Sequence, residues 1–218
     1  MVVLMLETKI CGLSTPDAID AVVQNGGEII GFIFFEKSPR HIDLDTAARL
    51  AKHTAGRVQK VAVTVNADDA YLDSIVEAAK PEMLQLHGAE SLERVEEVKA
   101  RYGLPVMKAF AIRSAEDFDK LGEYEGIVDR FLFDAKPPKG SELPGGNGVS
   151  FDWSLLQGLD IKTPYMLSGG LSADNLSEAV SQSGAKAIDI SSGVESSPGV
   201  KNLEMIAQLL ATASKIRV

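Results

Sequence analysis

What most limits the folds open to this chain is a rhythm. Short apolar runs alternate with longer segments of helical periodicity, eight times over. The runs are Leu4 to Ile10, Ile29 to Phe34, Gln59 to Val65, Met83 to Leu86, Val106 to Phe110, Phe131 to Asp134, Tyr165 to Leu167 and Ala187 to Ile190. Their first residues are spaced by about 26 positions on average, the length of one strand, one helix and two short loops, as a βα unit requires. Eight such units close naturally into a (β/α)8 barrel. An open, doubly wound sheet is the rival and would bind its ligand at a switch point. No G-x-G-x-x-G follows the first run and the last strand-helix pair is complete, so the expectation is an α/β protein: one (β/α)8 barrel domain over residues 1–218.

Local signals agree with that rhythm. Thr15-Pro16 reads as an N-cap and first helical position, with Ile19, Val22 and Val23 spaced to share one face. Tyr71, Leu72, Ile75, Val76 and Ala79 make another apolar face, and Leu203, Ile206, Ala207 and Leu210 that of the last helix. Ser91 and Ser172 are candidate caps. The segment Ala135 to Val149 is rich in Pro, Gly, Lys and Ser and precedes a helix opening at Phe151-Asp152-Trp153. A loop of this length reads either as a lid at the ligand-binding end or as a tolerated surface insertion.

Composition excludes some partners. A net charge of −9 with no basic stripe argues against nucleic acid and against an anionic membrane surface. It leaves room for a small phosphorylated ligand, which backbone N–H groups can hold locally. The single cysteine cannot form an internal disulfide. The opening run, Val2 to Gly12, has no charged start and is broken by Glu7 and Lys9, so no signal peptide is expected. No apolar run approaches the roughly 20 residues that span a bilayer, and the expected location is cytoplasmic.

In a barrel the strand ends and the loops after them face one shared mouth. These positions hold Cys11-Gly12, Ser38-Pro39-Arg40, Asn66, His87-Gly88, Phe110, Asp134, Ser168-Gly169-Gly170 and Ser191-Ser192-Gly193. Cys11 alone reads first as a small buried hydrophobe and only second as a reactive thiol. Glycine turns after strands seven and eight are the usual phosphate site of such barrels, and Gly145-Gly146 could close over the same phosphate. Alternation puts Lys9 and Glu7 on the face of Cys11. A lysine inside a barrel needs a counter-charge, and Asp189, on the strand that closes against the first, is the expected partner. That cation would favour the Cys11 thiolate.

Asp134 and Cys11, facing each other across the mouth, form a candidate acid and base pair. Asp134 could equally be a loop hydrogen-bonder. Arg40 could grip a carboxylate or make a surface ion pair. His41, His53 and His87 show no ligand spacing, His53 being placed on a helix surface, and no metal or cofactor is expected.

Lys9-Ile10-Cys11-Gly12, Gly31-Phe32-Ile33-Phe34 with Ser38-Pro39-Arg40, Gln85-Leu86-His87-Gly88, Phe133-Asp134, Gly145 to Trp153, Ser168-Gly169-Gly170-Leu171 and Asp189 to Gly199 together resemble the phosphoribosylanthranilate isomerase family. The resemblance runs in order through nearly the whole chain. It implies a (β/α)8 barrel and a cofactor-free Amadori rearrangement in tryptophan biosynthesis. It also implies Asp134 as general acid, Cys11 as general base, Arg40 as holder of the anthranilate carboxylate, and Gly146, Gly169, Gly170, Ser192 and Gly193 as holders of the phosphate. Three places depart from the family pattern: Asn147 stands for Thr or Ser, Ala62 and Thr64 for a glycine and an aromatic, and Lys201-Asn202 for Lys-Asp. Asparagine still serves as a helix cap. Two rival readings are a Schiff-base aldolase using Lys108 and a silent phosphate-binding barrel. The oligomeric state is expected to be monomer or homodimer.

Overall fold

A computed structural model describes residues 5–137, 140, 143–146 and 148–218. Eight parallel strands close into a barrel: β1 (Glu7–Cys11), β2 (Ile29–Phe34), β3 (Gln59–Thr64), β4 (Met83–Leu86), β5 (Val106–Ile112), β6 (Arg130–Ala135), β7 (Tyr165–Leu167) and β8 (Ala187–Ile190). Strand β8 closes on β1 with Asp189 opposite Lys9. The open-sheet alternative is thereby excluded. The first strand begins later than its apolar run, because Met5 makes only an isolated bridge to Arg217. Val2 and Leu4, where that run starts, lie outside the described residues.

Period-two alternation sorts the strand residues into two cores. Cys11, Ile29, Val61, Val63, Met83, Met107, Leu132, Met166 and Ala187 fill the barrel interior. Their neighbours, among them Ile10, Ile30, Phe32, Leu84, Phe131, Phe133 and Ile188, point outward under the helices. The first four helices are α1 (Pro16–Gln24), α2 (Leu44–Thr54), α3 (Asp69–Ala79) and α4 (Leu92–Tyr102). Each starts at a side-chain cap, respectively Thr15, Asp43, Asp68 and Ser91, which satisfies an N–H left unpaired in the first turn. His53 lies at the half-exposed end of α2 and contacts Asp20 of α1.

The helical layer is thinner on one side than the periodicity suggests. After β5 there is a 3-10 turn, Ala115–Phe118, and the single helical turn α5 (Leu121–Tyr124). Phe118, Leu121 and Tyr124 repeat every third residue, a spacing that lines up in tight turns rather than along an α-helix. Between β6 and β7 the described residues form one 3-10 turn, Trp153–Leu156, capped by Asp152. The full α-helix expected at Phe151 is therefore absent, since Gly158 follows within one turn at φ +78° and Thr163-Pro164 already leads into β7. The remaining helices are α6 (Leu176–Ser183) and α7 (Leu203–Ala213). Ser172 does not cap α6: its backbone N–H donates to Asn175 Oδ1, and Asn175 occupies the cap position. Asn202 caps α7, accepting from Glu204 and Met205. Between β8 and α7 the chain makes a 3-10 turn, Ser192–Val194, and a small antiparallel hairpin of β9 (Glu195–Ser197) and β10 (Val200–Lys201).

Candidate active site

The C-terminal ends of the strands surround a cleft that is partly open to solvent. Cys11, Arg40, Asp134, Gly146, Gly169, Gly170 and Ser192 all line it, so residues that are far apart in sequence meet at one place. Gly193 does not line it. A Cβ there would fall 1.9 Å from the Leu171 carbonyl oxygen, so its bare backbone lets the β7 and β8 loops close together. Asn147 lies outside the described residues. A second, wider cleft adjoins on the β3–β5 side and shares His87 and Asp134 with the first.

Cys11 ends β1 and is 4% exposed, buried and site-lining at once. Gly31 on β2 makes room for it: a Cβ at that position would stand 2.7 Å from Sγ. Beneath it Lys9 Nζ donates to Asp189 Oδ1 at 2.9 Å, the interior pair that alternation and barrel closure predict. Burial opposes the Lys9 ammonium, yet the Asp189 carboxylate overrides it and holds Lys9 above its ordinary value. The expected easing of the Cys11 thiol is outweighed. Burial pushes the thiol up, and Lys9 and Lys201 draw it back only in part. Glu7, also expected on this face, pairs across the barrel floor with Arg130.

Asp134 lies on β6, separated from β1 by β7 and β8, and is 5% exposed. One of its oxygens accepts from the backbone N–H of Ala135 at 2.8 Å. The other lies 3.4 Å from His87 Nε2. The Gln85 amide nitrogen is 2.8 Å from His87 Nδ1. That contact orients the imidazole, with Nε2 on the side of Asp134. Gly145 of the long loop lies directly over this group, its Cβ position 2.4 Å from Asp134 Oδ2.

Arg40 is no surface residue. Its side chain is 4% exposed and forks onto Glu195, and Gly146 packs against its guanidinium. Gly145 and Gly146 thus sit over Asp134 and Arg40, whereas Gly148 and Val149 are the part of that loop that approaches Ser192 and Gly170. The turn after β8 enters a short 3-10 helix, but five residues lie between Gly170 and the start of α6, so that glycine pair is not immediately helix-leading.

Sequence reasoning assigned no role to His87, Glu195 or Lys201. His87 stood among the mouth positions and showed its connection only once Asp134 was placed beside it. Lys108 is buried away from the cleft. Its ammonium donates to the carbonyls of Gly88 and Ala109 and faces Glu90 at 3.1 Å, so it braces the β4 and β5 ends. Burial lowers its pKa against the pull of Glu90, but its position outside the cleft removes the basis for a Schiff-base reading.

The family model described as N-(5'-phosphoribosyl)anthranilate (PRA) isomerase matches residues 8–212. The chain belongs to this isomerase family. The N-(5'-phosphoribosyl)anthranilate isomerase of Brucella canis is 62% identical over 201 residues, covering 92% of this chain and 90% of the relative. Among solved structures, the phosphoribosyl anthranilate isomerase of Thermotoga maritima superposes with a TM-score of 0.87 at 30% identity, over 97% of this chain and all of the other. A phosphoribosyl anthranilate isomerase in complex with reduced 1-(o-carboxyphenylamino)-1-deoxyribulose 5-phosphate gives a TM-score of 0.85 at 28% identity, with coverage of 97% and 100%. The family places this chain as an intramolecular oxidoreductase of tryptophan biosynthesis, an aldose-ketose isomerase. No helix among the described residues is long and apolar enough to cross a membrane.

Proposed function

We propose that this isomerase converts N-(5-phosphoribosyl)anthranilate to 1-(2-carboxyphenylamino)-1-deoxyribulose 5-phosphate, with Asp134 as general acid and Cys11 as general base. The observation that carries this reading is the presence of a carboxyl group and a thiol, from strands β6 and β1, in one cleft. Asp134 gives a proton to the ribose ring oxygen. The C1–O bond breaks as the anthranilate nitrogen's lone pair forms a C1=N bond. The Cys11 thiolate removes the C2 proton, and that electron pair becomes the C1=C2 bond of an enolamine. Loss of the hydroxyl proton at C2 and protonation at C1 give the ketone. Oxidation at C2 and reduction at C1 balance within the molecule, so the chemistry requires no cofactor and no metal.

In this reading Arg40 holds the anthranilate carboxylate. The phosphate is held by Gly169 and Gly170 after β7 and by Ser192 after β8, with Gly193 keeping those two loops close and Gly146 shaping the wall beside Arg40. Cys11 acts as a base only as thiolate, and the drawing-back of its pKa by Lys9 and Lys201 acts in that direction. The chain is proposed to work as a single barrel domain in the cytoplasm, as a monomer or homodimer, on a small phosphorylated substrate. The test follows loss of phosphoribosylanthranilate fluorescence, with the substrate generated in place because it hydrolyses. Acceleration over the blank is expected, and no acceleration would defeat the proposal.

A further inference from the structure

Arg40 is not free to choose its orientation. Its Nε and one terminal nitrogen donate to the two oxygens of Glu195 at 2.8 and 2.9 Å, and that same terminal nitrogen reaches the Gly146 carbonyl at 3.3 Å. Glu195 opens the hairpin beyond β8, 155 residues further along the chain. The two side chains are 4% and 3% exposed. A buried bidentate pair fixes the plane of the guanidinium. The nitrogen left over, Nη1, is the one nearest Gly146, whose Cβ position lies 2.6 Å from it, at the wall of the cleft.

A guanidinium neutralised by a carboxylate has little charge left for a ligand, and Lys201 alters that balance. Its side chain is 2% exposed, and its ammonium lies 2.6 Å from the Glu195 oxygen that Nε also contacts. It donates as well to the Ser191 carbonyl at 2.8 Å, and the Ser191 hydroxyl donates to the Cys11 carbonyl at 3.1 Å. Two cations therefore share one carboxylate. Burial opposes the charge on Glu195, yet Arg40 and Lys201 together hold its carboxyl below the usual range. The charged groups around the cluster do not cancel its surplus. Lys9 and Asp189 pair with each other, and Asp134 is turned to His87 and Ala135.

We propose that Glu195 and Lys201 are positioning residues for substrate recognition: Glu195 aims the Arg40 guanidinium, and Lys201 keeps the cluster one charge positive, so that the carboxylate on the substrate's aromatic ring supplies the missing anion. This inference rests on the reading of Arg40 as the carboxylate-binding group.

The test measures, by calorimetry, dissociation constants of the reduced product analogue and of its phenylamino counterpart without the ring carboxylate. Glu195→Gln and Lys201→Met each cut the preference for the carboxylate-bearing ligand by about tenfold, the scale of one buried charge-assisted contact. Binding of the counterpart stays within about twofold. In turnover, KM rises while kcat holds, as for an interaction made equally in ground and transition states. Equal weakening of both ligands, or an unchanged preference, overturns the inference. Lys201→Met leaves the Arg40–Glu195 fork in place and decides the matter if Glu195→Gln does not fold. Arg40→Ala tests the underlying reading separately. A wild-type preference in that variant removes Arg40 from carboxylate binding and takes the inference with it. Loss of preference in Arg40→Ala but not in the other two leaves the Arg40 reading standing and overturns the inference alone.

Discussion

The two flanks of the barrel mouth are built on different plans. On the side of β8, β1 and β2, Lys9 with Asp189, Arg40 with Glu195, Lys201 with Glu195 and Ser191, and Ser191 with the Cys11 carbonyl form contacts between 2.6 and 3.1 Å. On the side of β4 and β6, Asp134 meets His87 at 3.4 Å under a glycine of the long loop. A buried ion pair with good geometry holds its members in place, while a contact at 3.4 Å is easily exchanged for another. The wired flank suits the holding of fixed substrate charges. The looser flank leaves a carboxyl group that can turn to a new partner, which is what proton delivery to a ring oxygen asks of Asp134.

Several substitutions break or sharpen that contrast. On the wired flank, Lys9→Met leaves Asp189 buried without its cation and costs about 3–5 kcal/mol of stability, measured by urea unfolding. Adding Asp189→Leu to that variant recovers part of the loss, and no recovery would count against the ion pair as the cause. Across the mouth, Cys11→Ser and Asp134→Asn each lower kcat by about 100-fold or more, while melting temperatures move little. Equal residual activity in wild type and both variants would end the acid and base assignment. On the looser flank, His87→Gln gives up only a weak contact, and kcat falls by about fivefold, the worth of roughly 1 kcal/mol. A loss as large as that of Asp134→Asn would show that the two flanks are equally dependent on their wiring.

The smallest effect is one of pH. Burial raises the folded-state pKa of Cys11, so above the unfolded thiol's value of roughly 8.5 the unfolded chain sheds a proton that the folded chain keeps. The unfolded state then binds fewer protons, and stability falls as pH rises. Cys11→Ser lacks that component, so the wild type loses stability relative to the variant above about pH 9. A difference that stays flat with pH would place the thiol proton elsewhere. The same deprotonation supplies the base, so kcat/KM rises over that range.

These flanks were not equally legible in the sequence. The barrel was, because strand-length runs recur at the spacing of a βα unit, and seven of the eight runs end within one residue of an observed strand end. The Lys9–Asp189 pair was legible too, since side-chain alternation and barrel closure together leave a buried lysine one plausible partner. Glu195 and Lys201 were not. They sit in a hairpin outside the repeating unit, and no periodicity links Glu195 to an arginine 155 residues away. The weak helical layer after β5 and β6 escaped for another reason. Apolar residues three apart suit a 3-10 turn and an α-helix alike until the glycines and prolines around them are weighed.

Gly31 gives the thiol a directional character of practical use. The barrel wall on that side fits flush against Sγ, with space for no more than a hydrogen where a side chain would begin. Any electrophile aimed at Cys11 must therefore descend from the mouth along the barrel axis, past Arg40 and the long loop. A covalent inhibitor built for this site would need a slim warhead at the tip of its scaffold, with its bulk and negative charge trailing outward.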